Sequence, residues 1–246
     1  MSGLMKGSYG YDTVSIAYNC DMKGRLSLTS MLKELERAAT KHLESMELDY
    51  TRLKNENMAF IVTKMHMKVI RPPRVNEELH VRTSPQFTKG AQFLRKSQLG
   101  TLDNDLLVDC QAAWVLVDPV KKSILRPKAF GYDIQFDKDE PYHEEIFTKN
   151  IELTDNAKTV FNKVVRFSDL DANKHMNNAL YATVISDALP IDTIVNNDIK
   201  ELYLNYQKEC KYGDIIEVKL EEVEPGRYLV CGCVEGSVHF IAEVIF

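Results

Sequence analysis

The feature that most constrains this fold is a pattern that occurs twice along the chain. A predicted amphipathic helix, from about residue 29 to residue 46, precedes a series of segments that alternate apolar and polar residues. A second predicted helix, at about 177–189, is followed by similar segments in the same order. A shift of 137 residues places Met65 on Leu202 within the first matching pair of strands. The pattern therefore predicts two similar units, each with a helix and antiparallel strands.

The geometry that fits each unit is a curved antiparallel sheet wrapped around a long central helix, known as the hotdog fold. The predicted fold class is α+β, with two tandem hotdog units. We expect the N-terminal unit at residues 1–132 and the C-terminal unit at residues 157–246. Residues 133–156 between them are rich in acidic side chains, and this composition predicts a solvated linker.

The segment 171–178 carries the side chains most suited to chemistry. It places a carboxylate, an amide and an imidazole at alternate positions, Asp171, Asn173 and His175, just before the second helix. Alternate residues of an extended segment share a face, so the three side chains can converge on one cavity. The helix that follows offers N–H groups to an oxygen that gains negative charge. An alternative is a purely structural loop, in which Asp171 and Asn177 only bond to the backbone.

The matching segment of the first unit differs in informative positions. It keeps Asp21 at the place of Asp171, but Lys23 and Arg25 replace the asparagine and the histidine. A motif that served only to build a loop would be expected in both units. We therefore expect one unit to carry the chemistry and the other to hold something.

A second candidate is Glu209, at the end of a predicted strand. The matching strand of the first unit has Pro72 at this position, so the carboxylate occurs only in the second unit. The alternative interpretation is a surface glutamate beside Lys208 and Lys211, which is the common outcome for an acidic residue at a strand end.

Composition excludes several classes of protein. The chain has 31 basic and 36 acidic residues and a net charge of −5, which disfavours nucleic-acid binding because phosphate groups attract a basic surface. Apolar runs such as 112–117 are far shorter than the roughly 20 residues that span a bilayer. Residues 1–10 lack the apolar core of a signal peptide. We expect a soluble, cytoplasmic protein that binds neither nucleic acid nor membrane.

The cysteines and histidines do not predict a metal site. Five cysteines are present without a C-x-x-C pair, and their spacing matches neither a zinc ribbon nor a disulfide framework. Near Asp171 and His175 there is no second histidine. Reduced and mostly buried thiols are the expected state. We therefore predict no metal and no cofactor.

These motifs resemble those of the acyl-acyl carrier protein (acyl-ACP) thioesterases, in particular the bacterial members, over nearly the whole chain. The resemblance includes S-D-L-D-x-N-x-H-x-N-N-x-x-Y at 168–181 and Y-x-x-E-C at 206–210. It also includes D-x-x-G at 21–24 and the strand W-V-L at 114–116 before a basic segment. The resemblance implies two fused hotdog units with one active site. It further implies hydrolysis of fatty acyl-ACP to free fatty acid and carrier protein thiol in fatty acid biosynthesis.

Carried over to this chain, the resemblance implies a catalytic set of Asp171, Asn173, His175 and Glu209. Asn173 is a candidate donor to the carbonyl oxygen, and His175 is a candidate to orient a carboxylate or to protonate the departing thiol. Asp171, Glu209 and Cys210 remain alternatives for the nucleophile or base. Because successive strand residues point to opposite faces, we favour Glu209 over Cys210.

The acyl chain requires an apolar tunnel, and the first unit is its expected host. The expected lining residues lie on the first helix and the first long strand: Met31, Leu35, Ala38, Ile61, Met65 and Met67. The carrier protein is acidic, so a basic docking patch is expected on the enzyme. The densest basic cluster is Lys121, Lys122, Arg126 and Lys128, and a second candidate is Arg71 with Arg74.

Three alternatives to this function remain at the level of sequence. The first is an acyl-CoA thioesterase, the second is an acyl-binding hotdog protein without catalysis, and the third is a hotdog dehydratase that acts on 3-hydroxyacyl thioesters. The sequence does not give the chain length or saturation of the substrate, nor whether the protein forms a homodimer.

Overall fold

A computed structural model describes residues 7–137 and 141–246. The strands in this part of the chain are β1 (Tyr9–Val14), β2 (Ala59–Val69), β3 (Glu78–Lys89), β4 (Gln92–Thr101), β5 (Leu106–Asp118), β6 (Ser123–Leu125), β7 (Lys158–Val164), β8 (Glu201–Tyr206), β9 (Ile215–Glu224), β10 (Arg227–Val234) and β11 (Ser237–Ile245). The helices are α1 (Leu28–Glu44), α2 (Tyr50–Asn55), α3 (Glu145–Thr148), α4 (Tyr181–Ala188) and α5 (Ile191–Asn196).

All of these strands belong to one antiparallel sheet. Its order is β1-β3-β4-β5-β2-β8-β11-β10-β9-β7, with β6 paired to β5. The first five strands of this order come from the first unit and the last five from the second. The two units meet where β2 pairs with β8, with Met65 opposite Leu204 and Met67 opposite Leu202. A continuous sheet therefore fixes the position of one unit relative to the other.

The two main helices lie against the same face of this sheet. Helix α1 is an amphipathic helix whose first turn is capped by Ser27, the side chain of which accepts a hydrogen bond from the N–H of Ser30. Its apolar face, including Leu32 and Leu35, is buried in a core that it shares with α4 and both halves of the sheet. The α+β architecture is as predicted.

The second helix differs from the prediction at its start. A 3-10 turn occupies residues Asn178–Leu180, and the regular helix α4 begins only at Tyr181. The side chain of Asn177 accepts a hydrogen bond from the N–H of Ala179, which closes this tight turn before the helix. The helix ends before Pro190, as the sequence predicts.

The segment after the first unit is less solvated than predicted. Asp139 and Glu140, two of its acidic residues, lie outside the described residues. From residue 141 onward the chain packs on the opposite face of the sheet, where Ile146 and Ile151 are buried. His143 Nε2 lies 3.1 Å from Asp109 Oδ2. Burial of these isoleucines outweighs the solvation of the acidic residues around them.

None of the helices in residues 7–137 and 141–246 has the length and apolar character needed to cross a membrane.

Candidate active site

The loop that carries the predicted site is built around Asp171. Its Oδ1 atom accepts hydrogen bonds from the N–H of Asn173 at 2.8 Å and of His175 at 3.4 Å. The Asp171 N–H in turn donates to the carbonyl oxygen of His175 at 2.8 Å. Lys174 completes the turn with a positive φ of 67°, a conformation that costs energy for a residue with a side chain. Local hydrogen bonds therefore close the loop, and they hold Lys174 in this strained conformation.

The first unit contains the same loop with different side chains. Asp21 Oδ1 accepts from the N–H of Lys23 at 2.8 Å and of Arg25 at 3.1 Å. Gly24, with φ of 66°, occupies the position of the strained lysine. The aspartate thus builds the loop in both units, which confirms part of the structural alternative for Asp171. The asparagine, the histidine and the second carboxylate are the groups that distinguish the second unit.

His175 and Glu209 form an ion-pair contact. The His175 Nε2 atom lies 3.0 Å from Glu209 Oε2, and their side chains are 28% and 45% exposed. Backbone pairing brings them together, because the N–H of Met176 donates to the carbonyl oxygen of Cys210 at 2.8 Å. Glu209 is therefore accessible to water while it is held beside the imidazole.

Asn173 completes this group of side chains. Its Nδ2 atom lies 3.4 Å from Asp171 Oδ2, at the exposed side of the loop. The structure thus brings the four predicted site residues into two contacting pairs, Asp171 with Asn173 and His175 with Glu209. A short loop connects the two pairs, so they share one end of helix α4.

Cys210 points away from these pairs. Its side chain is fully buried, and its Sγ atom lies 3.3 Å from His239 Nδ1. Its N–H donates to the hydroxyl of Tyr181 at 3.3 Å. Burial raises the pKa of the Cys210 thiol and lowers the pKa of His239, so both groups favour their neutral forms. The strand predicted to carry both residues ends at Tyr206, so Glu209 and Cys210 lie in the irregular segment that follows it, where the backbone turns Cys210 into the core and leaves Glu209 exposed.

Comparisons with known proteins show the family of this chain. The family model of the acyl-ACP thioesterase N-terminal domain matches residues 10–128, and that of the acyl-ACP thioesterase C-terminal domain matches residues 152–237. Together they cover most of the chain. The chain belongs to the acyl-ACP thioesterase family.

Relatives of this family are distant in sequence. The palmitoyl-acyl carrier protein thioesterase of cotton, Gossypium hirsutum, is 22% identical over 204 residues, which are 78% of this chain and 49% of the relative. The chain thus spans about half the length of this relative.

Two solved structures show the shared fold. An acyl-ACP thioesterase from Bacteroides thetaiotaomicron superposes with a TM-score of 0.85 at 19% identity, covering 97% of each chain. The 12:0-ACP thioesterase of Umbellularia californica superposes with a TM-score of 0.83 at 17% identity, covering 97% of this chain and 96% of that one. The likeness confirms the predicted pair of tandem hotdog units.

In this member of the family, a groove of about 390 Å³ lies beside the loop of the first unit rather than beside His175. Asp21, Arg25 and Pro72 contribute to its wall. Pro72 stands where the second unit has Glu209, so this groove lacks a carboxylate at that position. The four predicted site residues, Asp171, Asn173, His175 and Glu209, do not line this groove.

A much smaller cavity lies inside the first unit, under helix α1. It has a volume of about 10 Å³, roughly the room of one water molecule. Of the predicted tunnel residues, Leu35 and Met65 line it, together with Ala39 and Trp114. Met31 lines the larger groove instead, and Ala38 is fully buried in the core. Helix α1 presents Ala39 rather than Ala38 to this cavity, and the lining of an acyl tunnel by the predicted residues stays a prediction.

Sequence reasoning missed Glu36 on helix α1. It lines the small cavity beneath this helix, and the charge of Asp171 acts on it across the boundary between the units. Burial raises the pKa of Glu36 to about 7. A signal was present in the sequence, because a glutamate at position 36 interrupts the apolar face formed by Leu35 and Ala39.

Metal ligation has no support in the described ranges. Within residues 7–137 and 141–246, no group of three or more His, Cys, Asp or Glu side chains is arranged to hold a metal ion.

Proposed function

We propose that this protein hydrolyses fatty acyl-ACP to free fatty acid and carrier protein thiol, as a cytoplasmic enzyme of fatty acid biosynthesis. The observation that carries the proposal is the contact of His175 with Glu209, beside Asn173, in only one of two loops with the same backbone hydrogen bonds. Membership of the acyl-ACP thioesterase family supports the substrate class.

Glu209 is the proposed general base. Its carboxylate is accessible to water and is oriented by the His175 imidazole at 3.0 Å. Glu209 takes a proton from a water molecule as the water oxygen bonds to the carbonyl carbon. The carbon–sulfur bond then breaks, and the proton returns through His175 to the departing thiolate. A thiolate is a good leaving group, so an activated water and a donor to the carbonyl oxygen are the main requirements.

Asn173 is the proposed donor to the carbonyl oxygen. Asp171 Oδ2 lies 3.4 Å from its Nδ2 atom, which orients the amide and leaves its second N–H for the substrate. Asp171 Oδ1 already accepts two backbone N–H groups, as Asp21 does in the first unit. We therefore assign Asp171 to the support of Asn173 rather than to attack on the substrate.

The first unit is the proposed host of the acyl chain. The cavity beneath α1 lies in a region of flexible apolar side chains, such as Leu35 and Met65, which can move to admit a chain. In the proposed complex the chain enters beside Glu36, where α1 meets the catalytic loop. The carbonyl group then remains near Asn173.

The carrier protein is the proposed partner. Lys174, Lys208 and Lys211 are exposed and lie in the same two segments as His175 and Glu209, so they surround the point of entry. The cluster from Lys121 to Lys128 is also exposed, after strand β5, and stays a prediction. Exposed cations attract an acidic carrier at a distance and increase the rate of encounter.

The test is a comparison of substrates with the same acyl chain. Purified protein is mixed with acyl-ACP, acyl-CoA and 3-hydroxyacyl-ACP, and both free thiol and fatty acid are measured, the latter by mass spectrometry. The proposal expects thiol and fatty acid in equal amounts, with a higher kcat/KM for acyl-ACP than for acyl-CoA. Preference for acyl-CoA, binding without thiol release, or loss of water without thiol release would each support a different function.

A further inference from the structure

Two aromatic side chains are exposed on turns next to the catalytic loop. Phe167 is 84% exposed and Tyr212 is 64% exposed. A single exposed apolar residue is common on a protein surface, whereas several that lie together beside a site often mark an area that binds another protein. The two residues are far apart in sequence, so the backbone has to bring their turns together.

Backbone hydrogen bonds hold these two turns together. The N–H of Val165 donates to the carbonyl oxygen of Asp214 at 2.9 Å. The N–H of Gly213 donates to the carbonyl oxygen of Val165 at 3.0 Å. Phe167 is two residues after Val165, and Tyr212 directly precedes Gly213. The two aromatic residues thus lie on adjoining turns and belong to the same exposed area.

Carboxylates fix both turns. Phe167 begins a 3-10 turn that ends at Asp169, whose Oδ2 atom lies 2.8 Å from Lys163 Nζ. In the other turn, Asp214 Oδ2 accepts a hydrogen bond from the N–H of Lys211 at 2.7 Å. A fixed turn loses little conformational freedom when a partner binds, so more of the contact energy remains for affinity.

Three lysines adjoin these turns and the catalytic pair. Lys174, Lys208 and Lys211 are exposed, and their side chains make no hydrogen bond or ion pair within residues 7–137 and 141–246. Lys208 directly precedes Glu209, and the backbone of Lys211 pairs with that of His175. Aromatic side chains with charged neighbours at the rim are typical of interfaces between proteins.

The corresponding end of the first unit has no aromatic residue at these two positions. The two loops correspond with an offset of 150 residues, as their equivalent hydrogen bonds show, so Ala17 stands at the place of Phe167. The offset of 137 residues that aligns the strands places Val75 on Tyr212. Tyr18, beside Ala17, is as exposed as Phe167, and it therefore offers a matched control.

Two cations at that end are paired within the protein. Arg71 stands at the place of Lys208, and its Nη1 atom donates to Glu77 Oε2 at 3.0 Å. Lys23 Nζ lies 3.4 Å from Asp198 Oδ1. Paired cations contribute less to the field that attracts an acidic partner. The charge distribution therefore favours the end of the molecule with His175 for such a partner.

We propose that the acyl carrier protein docks on one surface formed by five residues: Phe167, Tyr212, Lys174, Lys208 and Lys211. This inference rests on the proposed function and deepens it, because it adds apolar contacts to electrostatic attraction. The carrier is acidic, and it must bring its acyl group to His175 and Glu209, which adjoin this docking surface. The lysines increase the rate of encounter, and the aromatic side chains slow release.

The first test compares acyl-ACP with an acyl-pantetheine thioester of the same chain, which has the same reacting group but no carrier protein. Phe167→Ser and Tyr212→Ser should each lower the ratio of the two kcat/KM values about tenfold, since aromatic residues at the centre of an interface carry much of its affinity. Tyr18→Ser, at the other end of the molecule, should keep the ratio of the parent. Because all three side chains are exposed, thermal unfolding should give parent-like melting temperatures.

The second test measures binding of the carrier protein without catalysis. Lys211→Glu should weaken the affinity for the carrier about tenfold in titration calorimetry at low salt. The difference from the parent should shrink at high salt, because ions screen exposed charges. Arg74→Glu, at the equivalent position of the first unit, is the control and should bind as the parent does.

The two tests separate docking from the proposed function. If the parent hydrolyses no acyl thioester, the proposed function fails, while calorimetry still tests the docking surface. An unchanged ratio for Phe167→Ser, an unchanged affinity for Lys211→Glu, or an equal loss in Tyr18→Ser or Arg74→Glu would overturn the inference. So would a dimer of the parent that Phe167→Ser dissociates, since the surface would then bind a second copy of this chain.

Discussion

Glu209 and Cys210 are neighbours in sequence, yet their environments differ completely. The glutamate is half-exposed and contacts His175, whereas the thiol is buried and favours its protonated form. We expect Glu209→Gln to lower kcat about a hundredfold or more, the usual effect of removing a general base. Cys210→Ser should keep most of the activity. Both variants are measured on acyl-ACP at saturating substrate. An acyl group found on Cys210 by mass spectrometry would contradict this assignment.

A second residue-scale consequence concerns His66, which is fully buried on the face opposite α1. Its ring stacks on Tyr203 at 3.9 Å and meets His143 at 4.5 Å. Burial, with the charge of His143, lowers the pKa of His66 to about 3. The pKa of a histidine in an unfolded chain is near 6.5. Below that pH, His66 therefore binds a proton in the unfolded state but stays neutral in the folded state. His66 therefore lowers the free energy of unfolding progressively as the pH falls from about 6.5 toward 3.

The prediction for His66 is a change in the pH dependence of stability. The parent should lose roughly 2 kcal/mol of unfolding free energy between about pH 7 and pH 5 through this residue alone. His66→Phe keeps the ring stack and removes the proton site, so its loss over the same interval should be smaller by that amount. Urea unfolding at the two pH values measures the difference. Equal losses in both proteins would show that His66 is not the group responsible.

At the scale of elements, strand β10 contains a glycine that controls the packing behind Cys210. A Cβ atom on Gly232 would overlap the ring of Phe240. That ring packs edge-on against Tyr181 at 5.2 Å, and the Tyr181 hydroxyl receives the N–H of Cys210. The absence of a side chain at one strand position therefore supports the segment that carries Glu209.

We expect Gly232→Ala to destabilise the protein by about 1–3 kcal/mol, the range for overpacked cores. Activity should fall with it, because the displaced Phe240 and Tyr181 no longer support the segment at 209–211. Thermal unfolding and kcat on acyl-ACP measure the two effects. Addition of Phe240→Leu makes room for the new methyl group and should restore part of the stability. If Gly232→Ala alone is as stable as the parent, strand β10 accommodates the methyl group without loss of unfolding free energy.

Helix α1 carries the prediction for acyl chain length. Ala39 lines the inner cavity, whereas Thr40 next to it is exposed. Ala39→Phe fills the cavity and should shift the released fatty acids to shorter chains, while Thr40→Phe should leave them unchanged. Mass spectrometry of fatty acids from a bacterial host that expresses each variant provides the comparison. An unchanged profile for Ala39→Phe would place the acyl chain elsewhere, with the groove beside Arg25 as the next candidate.

Local patterns predicted the elements that depend on local residues. Helix α1 was expected at about 29–46 and occupies Leu28–Glu44, because its apolar spacing already determines a buried face. The strands β1 and β7 were not predicted, since each is short and lies at an edge of the sheet where burial is partial. Asp171, Asn173 and His175 were expected on an extended segment, but they lie in a tight turn in which Asp171 contacts Asn173 while His175 contacts Glu209, and their convergence on one cavity stays a prediction.

Contacts between distant segments could not be predicted in the same way. The His175–Glu209 distance follows from backbone pairing of Met176 with Cys210, and spacing alone does not give this register. Glu36 was missed because Asp171, whose charge acts on it, lies in the other unit. The buried segment after residue 141 was missed because its acidic residues conceal two isoleucines that the sheet buries.

At the scale of the whole molecule, the first loop fastens the two units together. Arg25 stands at the position of His175 and donates to Asp198 Oδ1 at 2.7 Å and to the carbonyl oxygens of Ile194 and Asn197 at 3.1 and 2.9 Å. All three partners belong to the second unit. In the first unit, the position of the histidine is thus used for a contact between the units at the end of helix α5.

Removal of this arginine should weaken the whole protein. Arg25→Met leaves two carbonyl groups without their donor and Asp198 with only Lys23, at 3.4 Å, and we expect a loss of about 2–3 kcal/mol. In a protein of this size, that corresponds to a melting temperature lower by about 5–10 °C. Arg37→Met, on the exposed side of α1, is the control and should have little effect. A melting temperature within the control's range would mean that the sheet alone holds the units together.

The pairing of β2 with β8 within one chain has a consequence for how such a protein can change over generations. In a dimer of identical chains, every substitution appears twice, so both loops must carry the same residues and must tolerate the same mutations. Here each loop is encoded separately, although both are built on the same backbone hydrogen bonds. A change from histidine to arginine in one loop can therefore be selected because it strengthens the contact between the units. The histidine of the other loop is unaffected. Because the two units are joined in one chain, their loops can differ in sequence although the units share one fold.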